Sequence, residues 1–132
     1  MSLSMYSSSV PVFLHYLKNL SIILKKGADY AAEKKIDEKV LTGGRLYPDM
    51  FPLTRQVLIA CDVAKGCGAR LAGIEVPKYE DNEVTFADLQ ARIEKTIDFL
   101  KSIPEASING SEQKQIKLQA GQRELEFVGD YF

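Results

Sequence analysis

Few side chains in this 132-residue chain could carry chemistry, and their spacing limits what each can do. There is one histidine, His15. A single imidazole excludes a His-x-x-x-His or three-histidine zinc site within one chain. It leaves open a carboxylate-rich metal site, because Asp49, Asp62 and Glu75 lie on or near one helical segment. His15 projects about 160° from Leu17 on a helical wheel, beside Asn19 and Lys26, the setting of an ordinary surface histidine. Asp49 and Gln56 stand seven residues apart and share a ridge flanking an apolar stripe. With Arg55, they are the polar groups best placed to line a pocket between helices. A simpler role for Asp49, between Pro48 and Met50, is to cap the helix that follows.

The remaining motifs argue against chemistry. Cys61 and Cys67 are six positions apart in a helical segment, roughly 9 Å along its axis and on different faces. They are expected to be small buried thiols, and their spacing is no C-x-x-C motif. Gly66 and Gly68 fall inside a helix with no strand before them, and Gly43-Gly44 has no Lys-Ser/Thr after it. Neither pair is a phosphate loop. No Gly-x-Ser-x-Gly elbow offers a nucleophilic serine.

Three long amphipathic helices must position these groups. The first runs from about Ser8 to Lys35, with Val10, Phe13, Leu14, Leu17, Leu20, Leu24, Ala28 and Ala31 on one face. Ser8 or Ser9 can cap it, and Pro11 suits its first turn. Asp37 can cap a single turn through Leu41, before a loop punctuated by Gly43-Gly44, Pro48 and Pro52. The second long helix is predicted from about Met50 to Gly73, and its stripe shrinks through Ala60, Ala64, Gly66, Gly68 and Ala69. Small residues there invite close approach by another helix. Ile74 to Val84 reads as a polar connector with the acidic run Glu80-Asp81. Thr85 to Asp88 reads as a capping box opening a third helix, whose stripe is Phe86, Leu89, Ile93, Ile97, Leu100 and Ile103. Asp88 and Arg92 are expected to pair on its surface. Pro104 should end it.

The period then changes to two. Gln115–Gln119 and Glu124–Val128 alternate apolar and polar residues around Ala120-Gly121-Gln122-Arg123, a β-hairpin signature. The register that sets Leu118 against Leu125 also sets Lys117 against Glu126. The hairpin's apolar face must rest on the helices.

Composition bounds the function. Hydrophobic residues make up 45% and charged residues 27%, as in a folded globular domain. With 17 basic and 18 acidic side chains, the net charge of −1 supplies no basic field for nucleic acid or anionic membrane. No apolar run reaches the roughly 20 residues of a membrane span, since Ile22-Ile23-Leu24 is bracketed by Lys18 and Lys25-Lys26. Met1 to Met5 lacks a signal peptide's basic start and apolar core, so a cytoplasmic location is expected.

One block narrows the field. Leu46-Tyr47-Pro48-Asp49-Met50-Phe51-Pro52-Leu53-Thr54-Arg55-Gln56-Val57, leading into Ala60-Cys61-Asp62-Val63-Ala64-Lys65-Gly66, resembles a family of uncharacterised bacterial and fungal proteins. Ser9-Val10-Pro11-Val12-Phe13, Arg70-Leu71-Ala72-Gly73 and Thr85-Phe86-Ala87-Asp88-Leu89 extend the likeness over the whole chain. That family is grouped with the DinB/YfiT-like metalloenzymes. The resemblance implies a mainly α, up-down four-helix bundle, commonly dimeric, with a hairpin between its third and fourth helices. Family members continue past the Asp-Tyr motif, here Asp130-Tyr131, into a helix carrying histidines. The sequence stops at Phe132, so the expectation is one domain over 1–132, ending before a fourth helix and exposing an apolar groove along the three helices. Metal-binding relatives use three histidines, one of them early in the second helix, near which this chain has Gln56.

Two readings follow. The first is a non-catalytic bundle that forms a homodimer and binds a small molecule near Asp49, Arg55 and Gln56, with no cofactor. The alternative is a DinB-like metal-dependent hydrolase or thiol transferase. By family analogy it would hold a divalent metal through His15, Asp49 or Asp62, completed across a dimer.

Overall fold

The computed structural model describes residues 3–132; Met1 and Ser2, within the domain expected over 1–132, lie outside them. The chain is mainly helical and closes with an antiparallel hairpin. Helix α1 spans Val10–Lys34, with Pro11 in its first turn. Ser9 occupies its N-cap position but does not cap through its side chain. The Ser9 hydroxyl donates instead to the Met5 and Tyr6 carbonyls. The short helix α2, Glu38–Thr42, begins at Asp37, whose carboxylate accepts from the Lys39 N–H at 3.0 Å.

Helix α3 spans Leu53–Ala72, three residues later than its sequence pattern suggests. Proline is the reason. A residue before proline is pushed away from helical dihedrals, so Phe51 cannot carry a helix into Pro52. Pro52 itself becomes the N-cap, extended at ψ 161°, and its carbonyl accepts from the Gln56 N–H. Asp49 therefore does not cap α3. It lies exposed in a turn closed by the Met50 N–H on the Tyr47 carbonyl. Gly73 ends α3 in the left-handed region at φ 75°, where glycine costs least.

Helix α4, Phe86–Lys101, opens with the complete capping box of Thr85 and Asp88. Pro104 ends its course and starts one further turn, α5 (Glu105–Ile108), which buries Ile108. Strands β1 (Gln115–Ala120) and β2 (Arg123–Val128) pair with Leu118 opposite Leu125 and Lys117 opposite Glu126. A 3₁₀ turn, Gly129–Tyr131, follows.

Helix α4 is the centre of the packing. It lies against both α1 and α3, which touch each other only sparingly. All six residues of its apolar stripe, Phe86 through Ile103, are buried. Glycines set the approach on both sides. A Cβ on Gly68 would stand 2.8 Å from Leu100 Cδ2, and one on Gly27 would stand 3.0 Å from Phe86 Cζ. Ile116 anchors the hairpin to the core, while Leu125 stays 39% exposed.

Candidate functional site

Two features stand out: a charged cluster around Arg92 of α4 and an apolar furrow where α1, α2 and the start of α3 meet. The cluster is built around Arg92, which corrects the expected surface pair with Asp88. The Asp88 carboxylate turns back to the Val84 and Thr85 N–H groups, both at 3.0 Å. Arg92 points the other way and is buried, its side chain 2% exposed. Nη1 donates to the Glu80 carbonyl and to Glu83 Oε1, each at 2.9 Å. Nη2 donates to Asp62 Oδ1 at 2.9 Å and to Asp81 Oδ1 at 3.2 Å. One guanidinium thus ties α4 to α3 and to the irregular connector.

Burial opposes the charge on Arg92, but the hydrogen bonds to Asp62 and Glu83 outweigh it and raise its pKa. Tyr79 lies under three cations, with Lys95 Nζ at 4.0 Å from its ring centroid, Lys65 Nζ at 4.4 Å and the Arg92 carbon at 5.2 Å. Burial pushes the Tyr79 phenol up, against the pull of Arg92. Lys65 also reaches Asp62 at 3.2 Å, and Arg55 reaches Asp81 at 3.6 Å. Two buried atoms, Glu83 Oε2 and Arg92 Nε, have no hydrogen-bond partner. A cleft of about 540 Å³ opens here, lined among others by Lys78, Tyr79, Glu83, Arg92 and Lys95.

The furrow lies where α1, the short α2 and the start of α3 meet. Two apolar cavities of about 340 and 400 Å³ share Leu41 and Leu53. One extends past Val40 and Leu46 to Gln56, the other past Leu20, Ile23 and Tyr30. Tyr16, Ile23 and Tyr30 recur at heptad spacing on α1 and are 67%, 61% and 49% exposed. The expected groove along three helices is thus narrower: α4 contributes only Phe86, at its start.

The residues expected at a site are dispersed. His15 is exposed, edge-to-face with Tyr16 at 5.4 Å and 3.4 Å from Asn19. Gln56 lines the furrow and donates to the Phe51 carbonyl at 3.0 Å. Arg55 turns from the furrow toward Asp81 and the Phe51 ring. Asp49 lines neither cavity. Asp62, the third metal candidate, already serves Arg92 and Lys65. A carboxylate holding two cations is a poor donor for a third, and among the described residues no three His, Cys, Asp or Glu groups assemble for a metal. Within one chain, His15, Asp49 and Asp62 are not brought together as a metal site.

Cys61 and Cys67 are free, Cys61 buried and Cys67 partly so. Burial raises both thiol pKa values, partly offset at Cys61 by a hydrogen bond with Thr96 and at Cys67 by Arg70.

Sequence reasoning missed Arg92, Tyr79 and Glu83. The available signal was an arginine three residues after Leu89 and one before Ile93, facing the acidic connector rather than solvent.

Residues 5–132 match the model of a domain of unknown function, DUF1993. The chain belongs to the DUF1993 family. No curated protein matches it. The crystal structure of a DinB family member from Shewanella denitrificans is similar, with a TM-score of 0.81 and 37% sequence identity. The match covers 95% of the DUF1993 chain and 71% of that protein. The DinB-like architecture implied by the resemblance is therefore the fold of this DUF1993 protein. Among its described residues no helix is long and apolar enough to cross a membrane.

Proposed function

We propose that this DUF1993 chain is a non-catalytic helical-bundle module that forms a homodimer through the furrow face of α1 and α3. The carrying observation is the pair of exposed α1 residues Ile23 and Tyr30 beside Leu41 and Leu53. A contiguous apolar face of this kind costs free energy in water and is relieved by covering it. A two-fold axis lets one patch cover its own copy, so no second surface is required. The Gln56 end of the furrow is the small-molecule pocket in this reading, with an apolar wall and one amide for orientation. The cytoplasm is the proposed location.

Sedimentation velocity from about 1 to 100 μM tests the assembly. A concentration-dependent dimer is expected, and Ile23→Glu should return it to monomer with its helical circular dichroism intact. Monomer throughout that range overturns the dimer. Divalent metal near one per chain, after purification without chelator, overturns the non-catalytic reading.

A further inference from the structure

We propose that the cleft between the connector and α4 binds a small zwitterion carrying an ammonium and a carboxylate, of the size of a free amino acid. The site is separate from the furrow and does not depend on it. The charges that line its floor and walls cancel, Lys78, Arg92 and Lys95 against Glu80, Glu83 and Asp88. A floor of that kind favours neither a net anion nor a net cation.

What remains free has two signs. Glu83 is 9% exposed, lines the cleft and keeps Oε2 without a partner. A buried carboxylate oxygen of this kind calls for a donor, and a charged one compensates it best. Lys78 and Lys95 line the same cleft, and neither has an ion-pair partner among the described residues. Lys95 is steadied over the Tyr79 ring, so its ammonium is placed before a ligand arrives. An ammonium beside Glu83 and a carboxylate beside the lysines would answer both sets of unmet groups at once. The volume, about 540 Å³, is within the ordinary range for small-molecule pockets.

The test is titration calorimetry of the full chain with glycine, alanine and glutamate, each also as its α-N-acetyl derivative. At least one free amino acid should bind with a dissociation constant of about 1 mM or tighter. Acetylation, which removes the ammonium, should weaken it at least about tenfold. Glu83→Gln should do the same. Because Glu83 also holds Arg92, Lys95→Met is the control: it should weaken binding while leaving the thermal midpoint unchanged. No heat from any free amino acid, equal binding of the acetylated forms, or unaltered binding by both variants each overturns the proposal.

Discussion

Arg92 Nη2 lies 2.9 Å from Asp62 Oδ1, joining the middle of α4 to the middle of α3 beneath the connector. The same guanidinium holds three connector residues, Glu80, Asp81 and Glu83. One side chain thus holds three points of an irregular segment.

Arg92→Met should destabilise the fold by about 3 kcal/mol in urea denaturation. That is the low end for breaking a buried ion pair, because Asp62 and Asp81 are nearly half exposed and can recover water while Glu83 cannot. Arg92→Lys should rescue only part of the loss, since an ammonium cannot match the planar fork that serves Asp62, Asp81, Glu83 and the Glu80 carbonyl together. Equal stability of wild type and Arg92→Met would show that the cluster is not a structural tie.

The start of α4 carries an acid dependence. The N–H groups of Thr85 and Val84 hold the Asp88 carboxyl below its usual range. A lowered folded-state pKa means stability that is present above the unfolded value, near 4, and lost as the pH falls through the folded one. Asp88→Asn should therefore flatten the acid limb of a stability–pH curve below about pH 4. Thr85→Ala removes the reciprocal bond and should cost about 1 kcal/mol at neutral pH.

Gly68→Val should destabilise by about 2 kcal/mol or more, although valine is the better helix former. The added atoms would enter a space where a Cβ already meets Leu100 at 2.8 Å and Ile103 at 3.0 Å. Chemical denaturation of the variant measures it. A gain in stability would mean that α3 and α4 have room to separate.

Local rules were legible from the residues and long-range ones were not. The Thr85–Asp88 box, the stop at Gly73 and the hairpin register all depend on neighbours within a few positions, and each is present as expected. The stripes of α1 and α4 were readable because burial repeats with the helical period. Arg92 escapes the i,i+4 rule because that rule knows only its own helix, while its partners come from α3 and the connector. Asp49 does not cap because the constraint Pro52 places on Phe51 moves the start of α3 beyond its reach. The candidate site suffered most, since a cleft made by a connector folding back has no signature in spacing.

The central place of α4 also governs the order in which the chain can fold. Most of what α1 buries, it buries against a helix that begins about fifty residues after α1 has ended. Helices α3 and α4 are closer in sequence and can form a docked pair first, with α1 closing onto it last across the longer loop. Helix α1 is thus the element whose release leaves a docked pair intact.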